Sequence, residues 1–302
     1  MKIYLLSPLV KNNRSYSVHQ LCSYINALGR EGYILYAPNP NNEFNSIYPE
    51  IPRVKIHPIG MLADDVKNMI ILPDISLVPL IRNQCKNIRI AIWWVGSSIV
   101  SDLENIFNEL QGTSLIHIFP TYFSYVTIRP LLPIGTKVFF IGDNVEDTFI
   151  VSNPDIYKLQ KENLVAYSGI MDNMSRLLCE NSNIKCVDVG MLRKEDRIEI
   201  YKKAKVFTNF GYYLGKDRFM REAASSGCVI VTHKSGAAGY KEDVPIEEKV
   251  GFDTDAPVMI ANIFNDFETY YIKQEPLRAV IKSEKTENII KTQMFLENIV
   301  SI

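Results

Sequence analysis

The chain lacks the features that would settle its class at a glance. Its five cysteines, Cys22, Cys85, Cys179, Cys186 and Cys228, include no close pair at metal spacing, which excludes a zinc-ribbon or zinc-finger framework. A scattered, odd-numbered set is expected as reduced thiols in a cytoplasm rather than as a disulfide scaffold. No apolar run approaches the roughly 20 residues that span a bilayer. The opening MKIYLLSPLV gives way at once to KNNR without a small-residue cleavage site, so it is not expected to be a secretory leader. Charge of one sign is missing too: 33 basic against 34 acidic residues leave a net charge of −1. No global field therefore advertises nucleic acid or an anionic membrane, although a local patch stays open. Internal repeats and low-complexity tracts are absent.

What is present is an ordinary globular composition, 47% hydrophobic and 22% charged, in 302 residues, enough for two domains with a core each. The N-terminal third alternates strands and helices, which predicts a mostly parallel sheet covered on both faces. Strands are expected at 2–6, 33–36, 69–72, 88–94, 114–119 and 137–141. Between the first two, Val18, Leu21, Cys22, Ile25 and Leu28 recur at helical spacing before Gly29. A second α/β pattern begins near residue 150, with strands expected at 164–167, 184–189, 206–208 and 229–232. Residues 283–302 read as a terminal helix.

The most informative segment runs from Tyr201 to Gly227, YKKAKVFTNFGYYLGKDRFMREAASSG. A helix closes at 201–205, a short strand follows, and a loop with Gly211 and Gly215 feeds a second helix. Asp217 is a good N-cap for that helix and Gly227 a good stop. Phe219, Met220, Ala223 and Ala224 fall on one face of it, and Arg218, Arg221, Glu222 and Ser225 on the other. In open α/β sheets ligands bind beyond the carboxyl ends of the strands. Lys216, Arg218, Arg221 and Glu222 therefore gather where an anion would sit, with amides around Gly211 and Gly215 as donors. A bland alternative is a solvated helix face with an internal Arg/Glu pair. THKSGAAGY, with Ser235 and Gly236, follows the next strand and forms a second loop at the same edge.

These residues carry a resemblance. GMLRKEDRIEIYKKAKVF followed by EAASSGCVIV resembles the C-terminal half of GT-B glycosyltransferases through Gly190, Tyr201, Ala204, Glu222, Ala223, Gly227 and Ile230. The resemblance is to family-four-like enzymes and to proteins encoded near polysaccharide synthesis genes. The opening strand, loop, helix and Gly-Arg-Glu-Gly-Tyr are similar to that family's first βαβ unit, but KNNRSY replaces its paired glycines. The fold implied is α/β, two Rossmann-like domains facing a cleft. Residues 1–150 would form the acceptor domain, 151–282 the nucleotide-sugar domain, and 283–302 a helix packing back toward the first. The resemblance implies that Glu222 holds the ribose of a nucleotide-diphosphate sugar. Eight residues earlier, where the family carries a Glu to the donor sugar, this chain has Leu214.

Other candidates are weaker. His117, in the strand SLIHIFP, is either a core histidine or the N-domain histidine that such enzymes place near the donor sugar. Asp74 ends the strand ILPD and is a general-base candidate or a helix cap. Trp93 and Trp94 should face opposite sides of a strand, so at most one could meet an acceptor sugar. Asp253-Thr254-Asp255 matches Asp-x-Asp superficially, but its late position reads as a turn or cap. The function expected is sugar transfer from a nucleotide-diphosphate sugar to a saccharide or lipid-linked saccharide. No metal or resident cofactor is expected, since Lys216 and Arg218 would offset the diphosphate. The chain is expected to be cytoplasmic, with peripheral membrane contact open and nucleic acid disfavoured by its charge. The alternative is a non-catalytic protein that binds a nucleotide sugar or glycan, which Leu214 and the missing first-loop glycines favour.

Overall fold

The computed structural model describes residues 1–38, 45–95, 107, 114–151, 161–169, 172–180, 184–213, 215–251 and 255–300. They divide into two units, Met1–Asp143 with Thr286–Ile302, and Asn144–Lys285. Each is a parallel sheet with helices on both faces.

In unit 1, β1 (Lys2–Ser7), β2 (Glu31–Tyr36), β3 (Met69–Leu72), β4 (Arg89–Trp93), β5 (Leu115–Phe119) and β6 (Val138–Phe140) form a sheet in the order β2-β1-β3-β4-β5-β6. Because side chains alternate along a strand, both faces must be apolar for a covered sheet. Ile3, Leu5, Met69, Ile71, Ala91 and Trp93 enter one core, and Tyr4, Leu6, Ile70, Leu72, Ile90 and Ile92 the other. Helix α1 (Asn13–Ala27) starts at Asn12, whose side chain accepts from the Ser15 amide at 2.8 Å while Ser15 Oγ accepts from the Asn12 amide at 3.0 Å. It ends where Gly29 takes φ 75°, open to glycine at little cost. Helices α2 (Val78–Gln84) and α3 (Tyr122–Ile128) complete the described helices that lie wholly in this unit.

In unit 2, β7 (Glu162–Tyr167), α4 (Asn173–Glu180), β8 (Cys186–Asp188), α5 (Lys194–Lys203), β9 (Ala204–Asn209), α6 (Arg218–Ser225), β10 (Val229–His233) and β11 (Lys249–Val250) alternate, followed by α7 (Asp255–Asn265) and α8 (Phe267–Lys273). The sheet order is β11-β10-β9-β7-β8. The chain leaves β7 toward β8 on one side and β9 toward β10 on the other, so strand order reverses between β7 and β9. That switch point lies beyond their carboxyl ends, at Gly169 and Gly211, the place where open α/β sheets bind their ligands.

The last helix, α9 (Glu275–Val300), gives Leu277 and Ile281 to a core of unit 2 and Phe295, Leu296 and Ile299 to a core of unit 1. It starts at Glu275, earlier than residue 283. Strand β8 is shorter than 184–189, and β9 begins at Ala204, so the preceding helix stops at Lys203. The two-residue β11 carried no strand signal of its own. One expectation is overturned: Cys179 and Cys186 form a disulfide, with Cα atoms 5.8 Å apart, whereas Cys22, Cys85 and Cys228 are free and buried. The pair lies seven positions apart in the chain, and the end of α4 and the start of β8 bring the side chains face to face. Among the described residues no helix is long and apolar enough to cross a membrane.

Candidate functional site

The carboxyl edge of the unit 2 sheet is laced by side-chain carboxylates. Asp188, ending β8, accepts from the Gly190 amide at 2.8 Å and from the Gly169 amide at 3.0 Å. A Cβ on Gly169 would lie 2.5 Å from Asp188 Oδ2, so a larger residue there would push that carboxylate aside. Asp172, buried, spans the switch point. Its Oδ2 accepts from the Phe210 amide at 2.8 Å just past β9, and its Oδ1 accepts from the Ser175 amide at 2.9 Å in the first turn of α4. Asn209 Nδ2 donates to Asp217 Oδ2 at 2.6 Å, and Asp217 caps α6 through the Phe219 and Met220 amides. Surrounding side chains desolvate Asp217 and push its carboxyl up to about 7.

The two loops expected at one edge do meet. The Ala237 amide donates to Tyr213 O at 3.0 Å, and Gly236 has φ 58° with room for no Cβ, since one would lie 2.9 Å from Tyr213 O. Ser235 Oγ lies 3.0 Å from His233 Nδ1. The Tyr213 ring covers Gly211, where a Cβ would meet it at 2.5 Å. Gly215 is partly exposed, and Leu214 lies outside the described residues.

Beside these loops, Glu222 is buried rather than solvated. Arg197 donates to it in a fork, Nε to Oε2 at 3.1 Å and Nη2 to Oε1 at 3.3 Å, and Arg218 Nε lies 3.4 Å from Oε1. The Arg197 guanidinium is itself held, donating to Leu192 O at 3.1 Å and lying over the rings of Phe149 and Phe219. Glu146 extends the cluster, 3.0 Å from Lys194 Nζ and 3.9 Å from Arg218 Nη2. Burial pushes the Glu222 carboxyl up, and Arg197, then Arg218, pull it back. This face of α6 is buried because α5 and residue 146 supply its counter-charges, which overturns the solvated-face alternative. Two guanidiniums fixed on one carboxylate form a preorganised cationic edge able to meet an anionic group.

Lys216 and Arg221 stand apart from that cluster. Both reach Glu284 on α9, Lys216 Nζ at 2.7 Å and Arg221 Nη1 at 2.8 Å, with Arg221 and Glu284 each 3% exposed. The structure therefore brings Arg218 together with Glu222, and Gly211 together with Gly236 at Tyr213, while Lys216 and Arg221 brace α6 against α9.

The unit 1 candidates have other work. His117 is buried in β5, its Nδ1 accepting from Trp94 Nε1 at 3.1 Å, stacked against Trp94 and Phe119, with burial pulling its pKa down to about 4. That is the core-histidine arrangement. Asp74 caps a single 3₁₀ turn, Oδ1 accepting from the Ser76 amide at 3.0 Å and from Ser76 Oγ at 2.8 Å. Trp93 and Trp94 do face opposite sides, but both are buried, in separate cores. Asp255 is the first residue of α7, while Asp253 lies outside the described residues. Among the described residues no cluster of three His, Cys, Asp or Glu side chains is arranged to hold a metal ion.

Sequence reasoning missed Arg197, Glu146, Glu284, Asp172 and Asp188. Arg197 had a readable signal: it lies one turn before the buried Tyr201, on the same helix face.

Two parallel α/β units, each covered by helices on both faces, make the GT-B fold, and solved structures of that fold match the whole chain. HepE from Anabaena, in complex with UDP-glucose, is similar over 100% of both chains with a TM-score of 0.69 at 12% identity. A glycosyltransferase from Rickettsia africae is similar over 99% of this chain and 97% of its own, with a TM-score of 0.68 at 10% identity. A trehalose-6-phosphate synthase is similar over 100% of this chain and 99% of its own, with a TM-score of 0.65 at 9% identity. No family model matches the chain, and no curated protein sequence does.

Proposed function

We propose that this protein is a glycosyltransferase that takes a nucleotide-diphosphate sugar on unit 2 and passes the sugar to a hydroxyl of a saccharide or lipid-linked saccharide. The observation that carries the reading is the full-length fold match to HepE, a protein solved with UDP-glucose. The cationic edge beside the switch point gives that donor a chemically suitable seat. Arg218, held by Glu222 and Glu146, faces the leaving diphosphate. Glu222 then acts on the donor in two ways, by fixing Arg218 and by accepting from a ribose hydroxyl once ligand displaces one of its guanidinium contacts. Transfer also requires a base for the acceptor hydroxyl, and neither His117 nor Asp74 is placed as one.

That last point favours a second reading, binding without turnover. With Lys216 and Arg221 engaged by Glu284, and both unit 1 candidates occupied in packing and capping, the geometry suits recognition better than proton abstraction. One experiment separates the readings. UDP-glucose and UDP should raise the melting temperature by mass action, because they bind the folded chain alone. Release of UDP in the presence of an oligosaccharide acceptor identifies the transferase, and a melting shift without UDP release identifies the binding protein. No shift with UDP, GDP, ADP or CDP sugars sinks both. The melting shift should survive EDTA, since the proposed diphosphate partners are guanidiniums.

A further inference from the structure

The Cys179–Cys186 disulfide lies away from the cationic cluster, yet both elements it joins end at the switch point. At the far end of α4, Asp172 holds the Phe210 amide; at the far end of β8, Asp188 holds the amides of Gly169 and Gly190. We infer that this disulfide is a redox-sensitive brace for the switch-point loops, and that its reduction loosens them and weakens nucleotide binding. The second half rests on the donor-site reading above; the first half does not.

Packing secures these elements in part: Val189 after β8 and Ser175 of α4 are buried, and Ile184, Cys186 and Val187 pack partly buried against the two cores of unit 2. Strand β8 has three residues, lies at the sheet edge and pairs only with β7, through Cys186, Val187 and Asp188. Helix α4 has eight residues, short enough to be marginal without tertiary support. It packs Met174 and Leu178 onto the core, both only partly buried. The nearby ion pairs, Arg176–Glu180 at 3.9 Å and Lys185–Glu162 at 2.9 Å, are exposed and worth little. A covalent tie across such elements decides whether they open locally, because segments with few buried contacts sit at the low end of local stability.

Cys179 and Cys186 are both partly exposed, so a reductant can reach the bond. A dithiol supplies the two electrons. One thiolate attacks a disulfide sulfur, the mixed disulfide that forms is broken by the second thiol, and the products are two protein thiols and an oxidised dithiol. The other cysteines do not compete. All three are buried, and burial pushes Cys22 up to about 12 and Cys228 up to about 11.

The test compares air-oxidised protein with protein held in dithiothreitol. Amide hydrogen exchange, read without ligand, should accelerate at Gly169, Gly190 and Phe210 on reduction, while exchange in β9 and β10 stays slow. Equal exchange at those three amides in both states overturns the brace. Titration with UDP should show a dissociation constant about five-fold or more higher after reduction, the scale of an ordinary coupling between sites. An unchanged constant overturns the link to binding. If neither form binds UDP, the donor reading fails, and the exchange result still decides the brace. The Cys179→Ser, Cys186→Ser double variant should behave as reduced protein and ignore dithiothreitol. Should it misfold, partial reduction of the native protein, with exchange followed against thiol count, replaces it.

Discussion

The two units bury polar groups in opposite ways. In unit 1 the buried polar groups are neutral apart from Asp143, which accepts from Ser17 Oγ at 3.0 Å: His19 lies between Ser15 O at 2.6 Å and Tyr36 Oη at 2.9 Å, and His117 sits in an aromatic stack, with burial holding both rings down to about 4. In unit 2 the buried groups are charged and paired, Glu222 with two arginines and Glu284 with Lys216 and Arg221. A neutral buried network fixes a core without creating a field. A charged one keeps ions in low dielectric, a costly arrangement unless geometry and hydrogen bonds compensate, and it leaves a preorganised electrostatic edge. The difference teaches where to test for chemistry first: the charged network of unit 2.

Acid should break the comparison most visibly. A histidine whose folded pKa lies below its unfolded value stabilises the fold above the unfolded pKa, near 6.5, and that contribution is lost as pH falls toward 4. From 6.5 to about 4, each ring removes about 3 kcal/mol, so the pair should cost unit 1 about 5 kcal/mol or more on full acidification. Both tryptophans of the chain, Trp93 and Trp94, lie in unit 1. Urea unfolding followed by their fluorescence should therefore show a midpoint falling steeply between pH 7 and pH 4.5. A flat midpoint would mean that the rings are charged in the folded state.

Next in size is Glu222→Gln. Gln suits a helix and matches the shape, but it withdraws the carboxylate that Arg197 and Arg218 share, and breaking a buried pair from one side costs ~3–5 kcal/mol. Circular dichroism during denaturant unfolding should register that loss alongside weaker UDP binding. Full stability with unchanged UDP affinity would place the cluster outside both fold and function.

Glu284→Gln sharpens the division within unit 2. It should cost a comparable ~3–5 kcal/mol, yet UDP affinity should not fall, because Lys216 and Arg221 lose only their tie to α9. Affinity falling in step with stability would make α9 part of the binding apparatus. The smallest effect is expected for Asp74→Asn. Asp and Asn cap helices about equally, so stability should move by less than about 0.5 kcal/mol and sugar transfer should stay the same. A drop of about a hundred-fold in turnover would restore Asp74 as the base.

Most of the framework was legible because it is local. Runs such as MIIL and RIAIW announce covered strands, and the Asp217 cap with the Gly227 stop framed α6 closely, as Arg218–Ser225. The site was half legible. Its loops and Glu222 could be found from spacing, but the partners that define their electrostatics come from far along the chain. Glu284 illustrates the difficulty and its remedy. On α9 it falls in register with Leu277, Ile281, Asn288, Thr292 and Phe295, all buried, so a charge on that stripe signals a buried counter-ion. Its partners, Lys216 and Arg221, lie more than sixty residues away and leave no periodic trace. The disulfide was misread for a different reason: its cysteines are near in sequence, but their approach depends on α4 and β8 packing together.

Helix α9 also bears on how the chain assembles during synthesis. Domains generally fold in the order in which they leave the ribosome. Here the core beside β1 and α1 needs Phe295, Leu296 and Ile299, the ring of Phe295 meeting Phe139 at 5.0 Å, and Arg89 donates to Ile299 O at 2.6 Å. Those residues are made only after the whole of Asn144–Lys285. The first-made strands, covered on that face by α1 alone, must therefore wait with part of it open while the second unit closes, which makes the nascent N-terminal sheet the stage of synthesis most in need of chaperone cover.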